Sequence, residues 1–297
     1  MFVLAHLSDP HVAPLPPPRW SELMGKRVTG FAHWRASRHL VHRSEVLARV
    51  VADLKAKHAD HIAVTGDLVN ISAGAEYAPA RAWLESLGSS HDVTLVPGNH
   101  DIYVRGARHQ PHSHWGDYMR GDNAVETRFP FLRRRGGLAL IGLCSAVPTP
   151  PFLATGRLGE EQIARLTELL DRCRRERLFR VVLVHHAPVS IRHRHLRRLT
   201  DAARLCEALA QCGAELVIHG HDHVHSLSFV EGPQTKIPVL GVPSASQAPS
   251  RQHAAGYNLY CIERRGGAWH CEALGRSLAP DGETMIDVSR STLRFEL

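Results

Sequence analysis

Short apolar runs alternate with segments of helical periodicity along most of this sequence. Residues 2–7 form an apolar run of strand length, whereas apolar residues within 44–58 recur every three or four positions, as on one face of a helix. The same pattern predicts five further strands, at 61–68, 92–96, 138–143, 180–184 and 215–218. It predicts three further helices, at 75–87, 159–174 and 200–211. Beyond residue 225 it predicts little helix and four short strands, at 226–230, 237–240, 257–262 and 269–273.

Strands that alternate with helices are typical of an α/β fold, in which central sheet is covered by helices on the outside. We find no internal repeat and no convincing linker in the sequence. We therefore expect a single α/β domain over residues 1–297, with a strand-rich C-terminal part.

Two long segments do not follow this alternation. Residues 13–43 hold six basic residues among large apolar ones, and residues 102–135 are rich in histidine and arginine. Segments of this length within a compact domain are usually functional or poorly ordered. We treat 13–43 as a basic-aromatic insert. It could cover a site, lie on an anionic membrane surface, or simply pack on the core with its arginines in solvent.

The composition of the 297 residues is that of a globular protein, with 43% hydrophobic and 22% charged residues. It excludes a disordered chain, a collagen-like chain and a coiled coil. No apolar run approaches the ~18 residues of a membrane span, and the first residues lack the basic start of a secretory signal. Six dispersed cysteines without a CxxC pair favour reduced thiols. We therefore expect a cytoplasmic protein.

The charge of the chain favours anionic partners. It carries 36 basic and 29 acidic residues, for a formal net charge of +7. The basic residues are dispersed and no nucleic-acid-binding motif occurs, so we expect a small anionic substrate rather than nucleic acid. The 22 histidines are many for this length and suggest metal chemistry.

Candidate metal ligands follow five of the predicted strands, at the point where each strand ends. They are Asp9, His11, Asp67, Asn99, His185, His221 and His223. The carboxyl ends of strands in an α/β sheet are where such folds bind their ligands. Carboxylate, amide oxygen and imidazole suit Mn²⁺, Fe or Zn²⁺, and seven donors are too many for one ion. Two ions ~3.5–4 Å apart would use all seven donors.

Each of these short motifs is weak by itself. Asn-His-Asp after Pro-Gly could be a turn, and His185 and His186 could be buried core histidines. The pair His221 and His223 is more informative, because side chains two residues apart point the same way from an extended chain. Glycine precedes three of the candidate ligands, which would permit a sharp turn or a close backbone approach there. All the motifs together, in order and at strand ends, are hard to attribute to coincidence.

Over roughly residues 2–225 the sequence resembles the calcineurin-like metallophosphoesterases. The resemblance rests on motifs in a fixed order, namely Asp9-x-His11, Gly66-Asp67, Gly98-Asn99-His100-Asp101, His185 and Gly220-His221-x-His223. It implies a four-layer α/β/β/α sandwich with two mixed β-sheets. Pro10 and Ala187 are mild departures from the family pattern, and neither removes a donor.

The resemblance also implies a role for each matched residue. The ligands of a first metal ion would be Asp9, His11, His223 and Asp67. With Asp67 as the bridge, the ligands of a second ion would be Asn99, His185 and His221. The family pattern favours His185 over the neighbouring His186. His100 would contact the substrate phosphate and aid departure of the leaving group, with Asp101 behind it as orienter.

The activity that the resemblance implies is hydrolysis of a phosphoester with two divalent metal ions, Mn²⁺ or Fe before Zn²⁺. A metal-bridging hydroxide would attack phosphorus in line, and His100 could act as general acid if it is protonated. The motifs and the length look most like the bacterial phosphodiesterase group, which points to a cyclic nucleotide or another small diester.

Several alternatives stay open. Some relatives that hydrolyse UDP-2,3-diacylglucosamine at the membrane surface carry a basic-aromatic element, so the insert at 13–43 would also suit a pyrophosphohydrolase of a nucleotide–lipid conjugate. A scaffold without metals is disfavoured because every donor is retained. The basic run at 192–198, which begins with Arg192, could bind the substrate phosphate or form a solvated helix face.

Overall fold

Two mixed β-sheets form the centre of the computed structural model, which describes residues 1–189, 195–250 and 253–296. The strands within these residues are β1 Phe2–Leu7, β2 His61–Val64, β3 Val93–Leu95, β4 Phe131–Arg135, β5 Leu138–Gly142, β6 Phe179–Val184, β7 Leu216–His219, β8 Ser226–Val230, β9 Ile237–Gly241, β10 Gly256–Arg265, β11 Ala268–Leu278 and β12 Met285–Phe295. The first sheet has the order β12-β11-β10-β1-β2-β3, and the second has the order β4-β5-β6-β7-β9-β8.

Parallel pairing sets the direction of the strands that matter for function. In the first sheet β1, β2 and β3 are parallel neighbours, and in the second sheet β5, β6, β7 and β9 are. Their carboxyl ends therefore lie together at one edge of each sheet. The strand-rich C-terminal part extends the first sheet, because β10 pairs antiparallel with β1.

The helices are α1 Lys26–His33, α2 His39–Val41, α3 Ser44–Lys55, α4 Tyr77–Leu87, α5 Gln110–Trp115, α6 Glu160–Arg175 and α7 Ala202–Cys212. Helix α6 shows why these segments are helical, since its buried residues recur every three or four positions. Its first turn is acidic and its last turn basic, which complements the helix dipole. No helix of the described ranges is long and apolar enough to cross a membrane.

The sheets pack face to face and carry helices on their outer faces. Phe179 of β6 contacts Trp269 of β11 edge to face, with ring centroids 5.6 Å apart, and so joins the two sheets. Leu54 of α3 and Leu84 of α4 belong to the same core as the first sheet. Helices α6 and α7 cover the second sheet with Leu166, Leu170, Leu205 and Leu209. The predicted four-layer α/β/β/α sandwich with two mixed sheets is confirmed.

Two strands lie where the apolar pattern predicts none. β4 contains three arginines, yet Arg133 is buried and donates to the carbonyl oxygens of Ser90 and Val93, both at 2.7 Å. β12 is an edge strand whose side chains are mostly exposed, so it has no apolar face to reveal it. In both strands, backbone pairing and tertiary hydrogen bonds replace the usual hydrophobic signal.

The basic-aromatic insert at 13–43 is largely helical. A π-helical turn, Trp34–Arg38, joins α1 to α2. Phe31 and Trp34 are stacked, with centroids 6.2 Å apart, and pack beside a small buried cluster that includes Ile71 and Tyr103. Because those two residues follow β2 and β3, the insert is anchored next to the carboxyl ends of these strands.

Candidate metal centre

The loops after β1, β2, β3, β6 and β7 converge, and they bring the seven candidate ligands together. The potential ligand atoms of Asp9, His11 and His223 lie within 4.8 Å of one another, as do those of Asp9, Asp67 and His185. Those of His185, His186 and His221 form a third such group. Asn99 joins the cluster through Oδ1, which lies 3.2 Å from His185 Nε2.

Backbone carbonyl groups fix the orientation of three of the imidazoles. Nδ1 of His11 is 3.1 Å from Val69 O, and Nδ1 of His185 is 2.6 Å from Thr65 O. Nε2 of His221 is 2.9 Å from Arg197 O. A carbonyl oxygen can only accept, so the bonded nitrogen carries a proton and the other nitrogen faces the cluster. This arrangement is typical of metal-binding histidines, and the donor set therefore fits metal ions.

His186 differs from His185 in this respect. Its Nδ1 lies 2.8 Å from Ser145 Oγ and its Nε2 lies 3.1 Å from Ala154 O, so protein groups engage both ring nitrogens. Nε2 of His185, in contrast, lies 3.3 Å from Asp67 Oδ2. The geometry thus favours His185 over His186 as the ligand, although the two rings are adjacent.

The carboxylates of Asp9 and Asp67 are buried, and no lysine or arginine of the described ranges pairs with them. Asp9 Oδ1 lies 2.9 Å from His223 Nε2, and Asp9 Oδ2 accepts the backbone N–H of His221 at 3.0 Å. Asp67 Oδ1 accepts the backbone N–H of His100 at 2.6 Å. Among the described residues, the only ion-pair partners of Asp9 and Asp67 are histidines. Two buried negative charges in such surroundings call for cations, which metal ions would supply.

Burial and the neighbouring carboxylates shift the pKa values of the candidate histidines in opposite directions. Burial lowers the pKa of His11 and His221 well below the usual range, which keeps both rings neutral. Burial also acts on His185, but the charge and the hydrogen bond of Asp67 outweigh it and raise the pKa of His185 to about 9. Against its own burial, the charge of His185 holds the pKa of Asp67 well below the usual range. Asp67 is therefore ionised at neutral pH.

The backbone at the candidate ligands is unusual. Five of the seven have a positive φ, between 37° and 67°, namely Asp9, His11, Asp67, His221 and His223. Residues other than glycine rarely adopt this left-handed backbone conformation, and residues strained in this way cluster at functional sites.

Close backbone approach explains two of the glycines that precede ligands. A Cβ on Gly98 would overlap Asp67 Oδ1, and a Cβ on Gly220 would lie 2.6 Å from Asp9 Oδ2 and overlap Ser8 Oγ. The close approach predicted at these strand ends is present, and only glycine allows it.

His100 and Asp101 do not form the pair that the resemblance implies. Nδ1 of His100 hydrogen-bonds to Asn70 O. The carboxylate of Asp101 is turned away and accepts four backbone N–H groups, those of Asp67, Leu68, Val69 and Gly98. The prediction that Asp101 orients His100 is therefore wrong, because Asp101 instead fixes the loops that carry the ligands. Burial, followed by the charge of Arg38, lowers the pKa of His100 to about 3, so its ring is neutral.

A cavity of about 450 Å³ opens above the cluster, and the insert supplies part of its wall. Lys26, Arg38 and His42 of the insert line it beside His11, Asp67, Asn99, His100 and His223. The sequence did not identify these three residues individually, although the basic composition of 13–43 was a signal for them.

Arg192, predicted to contact substrate, lies outside the described residues. Arg197, from the same basic run, lines the cavity and donates to His221 O at 3.2 Å.

Two solved structures share this fold. One is a dimetal phosphatase from Danio rerio, with a TM-score of 0.66 and 11% identity over 99% of both chains. The other is a purple acid phosphatase from yellow lupin seeds, with a TM-score of 0.59 and 10% identity. It aligns with 99% of this chain, which spans about half (53%) of its length. At such low identity the likeness shows the fold alone.

The sequence itself identifies the family. Curated proteins include no match to it. The family model of the calcineurin-like phosphoesterases, however, matches residues 2–225, which is most of the chain and includes every candidate ligand. The resemblance inferred from the motifs is confirmed, and with it a hydrolase of phosphoester bonds whose clustered histidines and aspartates suit two metal ions. This chain belongs to the calcineurin-like phosphoesterase family.

Proposed function

We propose that this protein is a dinuclear metal-dependent phosphodiesterase of a small diester, such as a cyclic nucleotide. The observation that carries the proposal is the buried pair Asp9 and Asp67, which is surrounded by imidazoles with one nitrogen free and lies beneath a basic cavity. The cavity volume of about 450 Å³ suits a ligand of nucleotide size. The motif order shared with the bacterial phosphodiesterase group supports a diester rather than a monoester.

The residues divide into two ligand sets that share one carboxylate. The first set is Asp9, His11, His223 and Asp67. The second set is Asp67, Asn99, His185 and His221. When bound, the two metal ions would supply an activated water at neutral pH and would neutralise charge that develops on the phosphate. The mixed oxygen and nitrogen donors favour Mn²⁺ or Fe, and Zn²⁺ is the next candidate.

The protein groups around this centre position the candidate ligands and orient the substrate phosphate. The backbone N–H of His100 holds Oδ1 of Asp67, which leaves Oδ2 directed at the histidines. The neutral His100 ring lines the cavity, where its imidazole can contact the substrate phosphate. Its Nδ1 is engaged by Asn70 O, so Nε2 of the neutral ring carries no proton; we propose that Nε2 gains a proton when the anionic substrate binds and then donates a hydrogen bond to the phosphate.

The test is hydrolysis by the Mn²⁺-loaded protein of four substrates: bis(p-nitrophenyl) phosphate, p-nitrophenyl phosphate, cyclic AMP and UDP-2,3-diacylglucosamine. Asn99→Ala, which removes one donor of the second set, is the matched control. We expect turnover of the diesters that is lost in Asn99→Ala. Faster turnover of p-nitrophenyl phosphate than of any diester would contradict the diester proposal, and no turnover with both metals bound would contradict hydrolysis of this substrate class.

A second candidate function is hydrolysis of a lipid-linked diphosphate at a membrane surface, with the protein peripheral to the inner face of the membrane. The observation that favours it is the exposed face of the insert. Trp20, Met24, Val28 and Leu40 are 88%, 72%, 49% and 57% exposed. No acidic residue occurs between Glu22 and Glu45, whereas five basic ones do, of which Arg35 and Arg43 are exposed. Apolar side chains among unopposed cations are typical of a segment that lies on anionic lipid.

The cavity mouth continues this exposed face. Phe152 lines the cavity, yet 83% of the residue is exposed. It precedes Leu153, whose carbonyl oxygen accepts a hydrogen bond from Lys26 of α1 at 2.8 Å. The opening therefore lies beside the apolar residues of the insert, where a lipid-linked phosphate would be presented.

Vesicle sedimentation distinguishes the two candidates. The double variant Met24→Glu/Leu40→Glu places negative charge on the exposed face, and the control Ile286→Glu alters an apolar residue on β12 that is 41% exposed. If the substrate is lipid-linked, the double variant loses binding to phosphatidylglycerol vesicles and activity on UDP-2,3-diacylglucosamine, but keeps activity on bis(p-nitrophenyl) phosphate. An equal loss on the soluble diester, or vesicle binding equal to that of wild type, would contradict this candidate.

A further inference from the structure

We propose that Arg38, a residue of the insert, binds the non-bridging oxygens of the substrate phosphate. The inference rests on the proposed phosphoesterase function and adds the side chain that supplies positive charge from the protein itself. It makes the insert a part of the active site rather than a segment that merely packs on the core.

The guanidinium of Arg38 lies over the faces of two imidazole rings. Its Nη2 is 2.9 Å from Nε2 and 3.3 Å from Nδ1 of His11. Its Nη1 is 3.1 Å from Nε2 and 3.3 Å from Nδ1 of His100. A donor in the plane of an imidazole cannot be this close to both nitrogens, so Nη2 lies out of the plane of the His11 ring and Nη1 lies out of the plane of the His100 ring. The in-plane lone pair of His11 Nε2 therefore stays directed at the candidate metal ligands.

Arg38 has no carboxylate partner within the described part of the chain. None of the ion pairs there includes it, although it lines the cavity with Asp67, Asn99 and His100. A mostly buried arginine without a carboxylate in ion-pair contact is costly, and an anionic ligand in contact with it would reduce that cost. The planar fork of a guanidinium matches two oxygens of one phosphate, which a lysine cannot reproduce.

The other charged groups around the cavity have different tasks. Lys26 donates to Thr149 Oγ1 at 2.6 Å and to Leu153 O at 2.8 Å, and its ammonium lies 4.2 Å from the centre of the Tyr103 ring. Lys26 therefore fastens the insert to the cavity wall. Arg197 donates to the carbonyl oxygen of His221 and thereby braces a candidate ligand. Arg38 is left as the cation that faces both His11 and His100.

Local structure holds Arg38 in place. It ends the π-helical turn Trp34–Arg38, and Trp34 at the start of that turn packs against the cluster that contains Tyr103. Single π-helical turns inside helices occur frequently at functional sites. A cation held in this way needs little reordering to bind an anion, which increases affinity.

The experiment measures binding of inorganic phosphate to the Mn²⁺-loaded protein by calorimetry, and its inhibition constant against bis(p-nitrophenyl) phosphate. The variants are Arg38→Ala, Arg38→Gln and Arg38→Lys. Arg35→Ala, an exposed arginine of the same turn, is the matched control. We expect Arg38→Ala and Arg38→Gln to weaken phosphate binding by about 10- to 100-fold and to raise KM. Arg38→Lys should recover part of the loss, and Arg35→Ala should behave as wild type.

Binding of Mn²⁺ to the metal-free variants provides a readout that does not depend on activity. If Arg38 serves the phosphate, Mn²⁺ affinity of Arg38→Gln stays within about threefold of wild type. Unchanged phosphate affinity, or a change in Mn²⁺ affinity as large as the change in phosphate affinity, would overturn the inference. If the wild type itself binds Mn²⁺ but hydrolyses none of the four phosphoesters, the proposed function fails instead. Circular dichroism of each variant identifies any that does not fold, and Arg38→Gln then replaces Arg38→Ala.

Discussion

Asp101 Oδ2 accepts the backbone N–H of Asp67 at 2.9 Å, so the bridging candidate is held in place by a second buried carboxylate. The same Asp101 side chain accepts the N–H of Gly98 at 2.8 Å, which precedes Asn99. One carboxylate thus fixes the loops after β2 and β3 relative to each other. Both candidate metal sites depend on that spacing, because Asp67 and Asn99 sit on these two loops.

Replacing Asp101 by asparagine should therefore weaken metal binding rather than change protonation chemistry. The amide nitrogen of asparagine cannot accept, so N–H groups that share Asp101 would lose their acceptor, at a cost of about 1–3 kcal/mol. We expect Asp101→Asn to lower Mn²⁺ affinity by about 10- to 100-fold, as measured by calorimetry. Asp281→Asn is the control, since exposed Asp281 also accepts backbone N–H groups, but on the β11–β12 hairpin. Unaltered Mn²⁺ affinity in Asp101→Asn would argue against this positioning role.

The neighbouring histidines His185 and His186 should respond differently to the same substitution. His185→Gln removes a nitrogen that faces Asp67 and Asn99, so bound metal should fall below two ions per chain by mass spectrometry. His186→Gln should keep two ions and lose about 1–2 kcal/mol of unfolding free energy, because its contacts are to Ser145 and Ala154. The reverse result would exchange their assignments.

A methyl group at Gly220 should disrupt the site by steric overlap alone. Its Cβ would meet the side chains of Ser8 and Asp9, and neither has room to move within the buried cluster. We expect Gly220→Ala to lose most Mn²⁺ affinity and to melt several degrees lower. Gly106→Ala serves as control, since a Cβ there meets nothing within 4 Å. Equal melting temperatures for the two variants would show that the overlap is relieved elsewhere.

Removal of metal should destabilise the fold, because Asp9 and Asp67 would remain buried without their cations. Ligand binding to the folded state at 100 times its Kd contributes about 2.7 kcal/mol. For a protein of this size we expect chelation to lower Tm by roughly 5–10 °C, measured by calorimetry with and without Mn²⁺. Asp67→Asn should show a much smaller difference, and a wild type indifferent to chelation would speak against a metal site here.

Acid should weaken one ion pair that lies away from the site. Asp53 of α3 faces Arg276 of β11, and Arg276 Nε lies 2.8 Å from Asp53 Oδ2. Asp53 also accepts a hydrogen bond from the Tyr257 hydroxyl. Burial opposes ionisation, but the hydrogen bonds of Arg276 and Tyr257 prevail and lower the pKa of Asp53. A lowered folded-state pKa adds stability above the unfolded value of about 3.9, and this is lost as pH falls through the folded value. The Tm gap between wild type and Asp53→Asn should therefore be largest near pH 7 and close below about pH 4.

The ligand cluster could be predicted because its signals are local. Asp67 and Asn99 each follow a glycine at the end of an apolar strand, and parallel pairing of those strands brings their ends together. The role of Asp101 could not be predicted in the same way. Adjacency in sequence suggests that Asp101 contacts His100, yet at this turn the two side chains point apart. A side chain that accepts hydrogen bonds from backbone N–H groups cannot be recognised by a sequence pattern.

The contribution of Arg38 was also hidden, although the insert was recognised by its composition. Which of its six basic residues line the cavity depends on the helical path and on the π-helical turn, which shifts every later side chain around the axis. The sequence shows a basic segment, whereas the packing of Phe31 and Trp34 is what places Arg38 at the cavity.

The left-handed backbone at five of the candidate ligands has a consequence for the stability of the fold. Each such residue costs about 1–2 kcal/mol relative to an unstrained one, and glycine would occupy the same backbone at little cost. If no ligand were needed at His11, His221 and His223, glycine at these positions would make the folded state more stable. The histidines at these three positions therefore supply imidazole donors to the candidate metal centre at some cost to the stability of the fold.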